Sequence, residues 1–319
     1  MANPSMEFLT CWGFGIQDGQ GQKKTSDLTW LPLNAASDFN LNPNLELTDQ
    51  ADGFSDDRLM HSRGIWMEGN GGVSCQPVAG SLANLLEWVF DRDDYCQGKW
   101  ATVVYSDGRR VYQYPDVKVA SARFSLSAGA PLGLELRLLG IGEPFDSPII
   151  SPGLIQDGAP YTFDETKVQV DWDSSGTVHS NAETTLKSLE LEVDNQLQGG
   201  EEGLRLCESL YPQTGYNNGA GVYTGSFVRD YIDSTTESQD PFELWIKQIG
   251  AAYSDDYNGM LKVTLSRNGV ALVLSMPNTR FRTSRQPATG SRRGTINQTV
   301  EFQALTNAAG DPAVEYDIL

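Results

Sequence analysis

The sequence predicts a mostly β protein built as two tandem β-sandwich or barrel modules, residues 1–150 and 151–319, each with a short flanking helix and a long hairpin. Three observations predict it. Alternating segments bounded by turn residues dominate the chain, helix signals are few, and one order of elements occurs twice. Hydrophobic residues at 39% and aromatics at 10% suffice for a packed core, while 32 Gly and 15 Pro supply the turns of antiparallel sheet.

Two segments carry helical spacing. Leu82–Phe90 follows Ser81 as the expected cap, and Phe242–Ile249 follows Asp240 as cap with Pro241 at the first turn. Each places apolar residues at i, i+3 and i+4, so each lays one face on a core. Trp100–Tyr105, Arg109–Tyr114, Leu132–Leu139, Leu186–Val193, Met260–Leu265, Val270–Leu274 and Thr295–Phe302 alternate as strands. Asp107-Gly108 and Asn268-Gly269 are the strongest hairpin turns. Asn34–Arg63 and Gln198–Gln239 read as long irregular loops, which in compact β modules usually serve a function or await a partner.

The internal echo rests on spacing. Gly108 and Gly269 lie 161 residues apart, as do Gly98 and Gly259, which open the strand before each hairpin. An acidic stretch follows each helix, at Asp91–Tyr95 and Ser254–Tyr257, and a proline, Pro115 or Pro277, closes the second strand. The Pro-rich stretch Glu143–Gly153 joins the two modules.

Lys and Arg number 23 against 42 Asp and Glu, a formal charge of −19. Such a chain repels duplex DNA and anionic lipid, which excludes the usual basic nucleic-acid reader. Met1–Phe8 has no basic region before an apolar stretch, and no apolar run reaches the ~18 residues of a membrane span. Cys11, Cys75, Cys96 and Cys207 lie far apart, as expected of reduced thiols in a soluble intracellular product. His61 and His179 have no metal-ligand spacing around them, and no phosphate or dinucleotide loop is present. Asp171–Gly176 copies part of a calcium loop, but its twelfth position falls on Ala182 and its flank is strand-like, so a turn is expected. The pairs Asp56-Asp57, Asp93-Asp94 and Asp255-Asp256 are too ordinary in so acidic a chain to mark a glycosidase. No cofactor is expected.

One feature opposes the overall charge. Arg280, Arg282, Arg285, Arg292 and Arg293 cluster around Pro287 and Gly290, predicted at the tip of the second long hairpin. Their expected partner is an acidic surface on another copy, which would also fix register between subunits.

Several strings carry a family resemblance: Gly64–Gly72 leading into Pro77–Phe90, Val117–Phe124, a strand ending at Leu139-Gly140, Leu189–Asn195, Met276-Pro277 and Val300–Leu305. From about Phe8 to Leu319 the sequence resembles the major tail tube proteins of long-tailed bacteriophages. The resemblance implies a non-enzymatic structural protein of the virion tail, assembled in the host cytoplasm. Its copies join sheet edges into rings, and stacked rings form a conduit for DNA ejection whose lining is expected to be negative. It implies as partners the chain itself, a tail terminator, tail tip or baseplate proteins, and the tape measure protein and DNA within the lumen, with no membrane. Two modules per chain predict a trimeric ring with pseudo-sixfold symmetry, a true hexamer being the alternative. Two other classes compete: a carbohydrate-binding β-sandwich stacking sugars on Trp12, Trp30 and Trp66, and an acid-pair hydrolase.

Overall fold

A computed structural model describes residues 11–31, 40–51, 58–93, 95–106, 111–143, 145–146, 160–171, 186–198, 216–230, 259–267, 270–283, 297–306 and 312–319. The first part of the chain forms β1 (Cys11–Ile16), β2 (Thr29–Leu31), β3 (Asn40–Ala51), β4 (Arg58–Cys75), α1 (Ala79–Phe90), β5 (Ala101–Ser106), β6 (Val111–Ser127), β7 (Gly133–Gly140) and β8 (Phe145–Asp146). The second forms β9 (Thr166–Asp171), β10 (Leu186–Asp194), β11 (Leu197–Gln198), β12 (Asn217–Asn218), β13 (Val222–Asp230), β14 (Gly259–Arg267), β15 (Val270–Thr283), β16 (Asn297–Ala304) and β17 (Glu315–Ile318). The chain is mostly β, as expected. Every strand except β11 and β12 belongs to one antiparallel sheet, which contains the strip β3-β4-β7-β6-β10-β13-β16-β15.

Alternation explains the strip. In β7 and β16, buried Leu134, Leu136, Leu138, Val300 and Phe302 alternate with exposed Glu135, Arg137, Glu301 and Gln303. One face therefore packs and the other meets solvent. The packed face meets α1 and the β14–β15 hairpin, joining Leu82, Leu85, Leu86, Leu189, Leu191, Leu265 and Leu274 in a single core. Gly225 is required there: an added Cβ would stand 2.2 Å from the Glu190 carbonyl and 2.3 Å from the Phe302 ring.

The helix begins earlier than the sequence reading placed it. Its N-cap is Val78, and Ser81 occupies the third helical position, where its hydroxyl accepts from the Val78 N–H at 3.3 Å. This supplies half of a capping box, which explains why a serine there looks like a cap. The helix 242–249 and the turns at 107–108 and 268–269 lie outside the described residues, although Ser106 pairs with Val111 and Arg267 with Val270 across those turns.

Two other readings change. Much of Asn34–Arg63 is the hairpin of β3 and β4, and Gln198–Gln239 contains β12 and β13. Polar Asn and Asp residues concealed these strands, because one face of each can be wet. Pro115 and Pro277 do not end their strands but sit at bulges within β6 and β15. Ala101 pairs with Val117 and Val103 with Tyr114, so one residue sits opposite two; Gly259–Thr279 and Leu261–Met276 repeat this arrangement. A bulge is where a strand tolerates proline, since no ladder N–H is needed.

Strand pairing follows the same order in both parts. The set β1·β5, β5·β6, β6·β7, β6·β8, β4·β7 and β3·β4 corresponds to β9·β14, β14·β15, β15·β16, β15·β17, β13·β16 and β10·β13. Corresponding residues lie at several offsets, Ala101 with Gly259 (158 apart) and Val117 with Thr279 (162 apart), rather than the single 161 of the glycines. Irregularities match as well. Ile141 N–H donates to the Asp116 carbonyl, and Leu305 N–H to that of Asn278. The register shift after Asn44, continuing with Leu45 opposite Gly64, matches the break after β10, where Leu197 lies opposite Asn218.

α1 anchors the core through Trp88, whose ring stacks on Phe14 at 4.7 Å and lies 6.5 Å from Trp12. Among the described residues the Trp88 indole N–H has no acceptor. Trp88→Ala should therefore cost about 3–5 kcal/mol, whereas Trp88→Phe, which keeps the stack and removes a lone donor, should cost under about 1.5 kcal/mol. Urea unfolding of the two variants checks this.

Candidate functional site

From the end of β4 to β15 the solvent-facing side of the strip carries a trough lined by charged side chains. Two hollows share Arg123 and Glu192: one reaches Glu135 and Arg137 on β7, the other Arg280, Arg282 and Glu301 on β15 and β16. Acids and bases alternate across its strands. Arg123 pairs in register with Glu135 on one side and Glu192 on the other, and Arg282 with Glu301. Arg123 Nη2 also donates to both Glu190 oxygens at 2.9 Å, a bond that holds the guanidinium above its ordinary pKa.

Among the described residues this strip ends in unpaired backbone at both sides. β3 pairs only with β4. At the other end, Thr279 is bonded on both sides, to Gly259 of β14 and Ala304 of β16, but beyond it β15 keeps only β16. In β6 the corresponding edge is occupied. There Val117 is flanked by β5 and β7, and beyond it β10 takes over the edge that β5 leaves, from Ser121 opposite Asp194 to Ser127 opposite Ser188.

A buried polar cluster closes that β6·β10 junction. Lys118 is 2% exposed, and its Nζ donates to the Tyr216 carbonyl at 2.8 Å, Asn218 Oδ1 at 3.0 Å and Gln97 Oε1 at 3.4 Å. It also lies 4.5 Å from the Trp100 ring centre. Arg92 donates to Asn195 Oδ1, and Asn195 Nδ2 to the Val119 carbonyl at 2.8 Å. Burial, helped by Arg92, lowers the Lys118 pKa from 10.5 to about 8.

The five arginines singled out by sequence divide. Arg280 and Arg282 are not at a hairpin tip but within β15, on the trough. Arg285, Arg292 and Arg293 lie outside the described residues. Sequence reading missed Arg123, Lys118 and Arg92. The alternation of Glu190, Glu192 and Asp194 with leucine and valine signalled the trough, but nothing in the sequence signalled the Lys118 cage, whose partners are distant in the chain. The other chemistries find little support. Among the described residues no group of His, Cys, Asp and Glu is arranged to hold a metal, and no helix is long and apolar enough to cross a membrane. Asp171 ends β9, the rest of the calcium-loop string lying outside the described residues. Cys75 is buried, which pushes its thiol up to about 12 and makes it inert.

Lys118→Met should destabilise the chain by about 1–3 kcal/mol, since it strips a donor from the buried Tyr216 carbonyl and from the half-buried Asn218 and Gln97 side chains. The pH dependence has a definite sign. Below about 8 both folded and unfolded chains carry the Lys118 proton; between about 8 and 10.5 only the unfolded chain keeps it. This group therefore adds stability as pH rises through that window. Denaturant unfolding from pH 7 to 10.5 should show the advantage of wild type over Lys118→Met growing with pH.

Comparison with known proteins places this architecture. No curated protein matches the chain. A family model described as phage tail tube protein matches residues 13–304, from β1 to the last residue of β16. A match over that span includes the strip, the helix and the β6·β10 junction, and by it the chain belongs to the phage tail tube protein family.

Proposed function

We propose that three copies of this chain close a ring by joining strip edges, and that stacked rings form a tail tube through which DNA leaves the virion. In this reading residues 1–150 and 151–319 are equivalent modules, giving a threefold ring pseudo-sixfold symmetry. The observation that carries it is the eight-strand strip, packed on one face and polar on the other from β7 to β15, with unpaired backbone at both ends among the described residues. Unpaired edges attract other strands, and here closure with further copies removes them.

Size favours three copies over six. Twenty-four strands spaced about 4.8 Å enclose a backbone circle of about 37 Å before tilt, leaving about 25 Å between opposing side chains. That admits a duplex about 20 Å across with its hydration, whereas six copies give a circle of about 73 Å. The trough becomes the wall. It carries Glu135, Glu190, Glu192, Asp194 and Glu301 against Arg123, Arg137, Arg280 and Arg282, so it is mixed rather than uniformly negative. Cations held by neighbouring carboxylates bind phosphate weakly, and a wall of that kind lets DNA slide.

Tail terminator, tail tip or baseplate proteins and the tape measure protein complete the assembly in this reading, which takes place in the host cytoplasm. The carbohydrate-binding alternative loses two of its three stacking residues, since Trp12 and Trp30 are buried.

Negative-stain microscopy of the purified chain should show rings or tubules, and averaged rings should keep their detail under threefold but not sixfold symmetry. A particle that stays solitary at every concentration would overturn the proposal. Arg292→Glu with Arg293→Glu should block elongation and leave the unassembled chain folded by circular dichroism; normal elongation would remove those residues from the interface.

A further inference from the structure

The β6·β10 junction within the chain is a template for the junction between chains. We infer that the free edge of β15 beyond Thr279 takes up β3 of a second copy in the register that β6 uses for β10, with Arg280 anchoring the join as Lys118 does inside the chain. The inference rests on the ring-forming reading and specifies its contact.

The register follows from the two sets of pairings. Gly140 lies opposite Val117, and Ala304 opposite Thr279; Arg137 lies opposite Ser121, and Glu301 opposite Arg282. Thus Ser121 corresponds to Arg282, and Lys118, opposite Leu139, to Arg280, opposite Gln303. On the other strand, Glu68 lies opposite Asn42 as Val222 lies opposite Asp194, and Asn70 opposite Asn40 as Thr224 opposite Glu192. Asn42 therefore corresponds to Asp194. Since Ser121 faces Asp194, Arg282 will face Asn42 of the neighbour, and Thr283 its Leu41.

Two details of covalent structure agree with this placement. Within the chain, the Asn195 N–H donates to the carbonyl of Ala120 at 2.9 Å. Ala120 is an extra residue, created by the register shift between Val119 and Ser121, and β15 has no counterpart for it between Phe281 and Arg282. The counterpart of Asn195 is Pro43, which has no N–H to donate. Donor and acceptor are thus both missing at the second junction, and no buried group is left unmet.

The cations differ in exposure in the way a missing neighbour requires. Lys118 is enclosed by residues of the second half, reaching Tyr216 and Asn218 across the junction. Arg280, at the corresponding position, is exposed, and its side chain makes no hydrogen bond or ion pair among the described residues. Leu45 opposite Gly64 corresponds to Leu197 opposite Asn218, which brings the backbone of Ser62 in the next copy to where Tyr216 stands. An exposed guanidinium then stands beside the backbone of the neighbour's β4, as Lys118 stands beside that of Tyr216.

Cross-linking tests the register. The full chain carrying Asn42→Cys and Arg282→Cys, with Cys11→Ser, Cys96→Ser and Cys207→Ser so that the buried Cys75 is the one native thiol left, is assembled, oxidised and resolved on a denaturing gel. Covalent multiples up to a closed three-chain species are expected, absent from either single variant and at least about tenfold stronger than for Asn44→Cys with Arg282→Cys, a pair displaced by one strand repeat. Rings or tubes that form but link through the displaced pair, or through neither, overturn the register and leave ring formation standing. If wild type forms no ring or tube, both fall. Arg280→Glu should raise the concentration needed for assembly at least about tenfold with unchanged thermal unfolding of the unassembled chain, and Arg280→Lys should restore it. Assembly of Arg280→Glu at the wild-type concentration overturns the anchor.

Discussion

Backbone hydrogen bonding across β6 and β10 is the interaction on which the architecture depends. From Ser121 opposite Asp194 to Ser127 opposite Ser188, it makes one sheet of the strands on either side. A strand edge without a partner leaves donors and acceptors that cost free energy wherever water is excluded. The chain meets that constraint once internally. At the ends of the strip the same constraint is left open among the described residues, and in the proposed ring a further copy would meet it.

The packed face makes the junction a unit rather than two sheets laid side by side. α1 belongs to the first part of the chain, yet its last residue, Phe90, stacks with Phe124 of β6 and with Tyr223 of the second part, both about 6 Å away. The Tyr316 hydroxyl near the C-terminus donates to Asp91 Oδ1 at 2.7 Å, just past the end of the helix, and burial with that carboxylate raises the phenol's pKa. Removing the helix would thus expose core from both parts. Folding and the correct placement of β10 against β6 are expected to be one cooperative event.

Much of this was legible in the sequence, and what was not has identifiable causes. Strands with apolar residues at every second position, such as β7, β10 and β16, declared themselves, because burial of a single face imposes that period. The order of strands was readable twice for the same reason, while the second helix of that order, 242–249, lies outside the described residues. β3 and the first part of β4 were hidden: Asn40–Ala51 reads as a loop when its pattern is taken alone. Pro115 and Pro277 misled because local chemistry says that proline stops a strand, whereas a bulge absorbs it. Arg280 and Arg282 were recognised as unusual but assigned to the wrong place, since charge in a sequence does not reveal whether it lies on a strand face or on a turn. The Lys118 cage was beyond reach, its acceptors Gln97, Tyr216 and Asn218 being brought together only by the junction itself.

The distribution of charge follows from the same geometry. A net charge of −19 invites the view that the wall of any conduit here must be acidic. Yet Arg123 stands between Glu135 and Glu192 in the trough and bonds to Glu190. Alternating signs across neighbouring strands stabilise the sheet directly, where like charges facing one another would oppose its closure. A wall of carboxylates alone would repel DNA but would also repel itself, at spacings of about 5 Å between strands. Interleaved arginines, Arg123 between Glu135 and Glu192 and Arg282 opposite Glu301, remove that self-repulsion. The mixed charge of the trough is thus separable from the net negative charge of the chain as a whole, which promotes solubility wherever it is exposed.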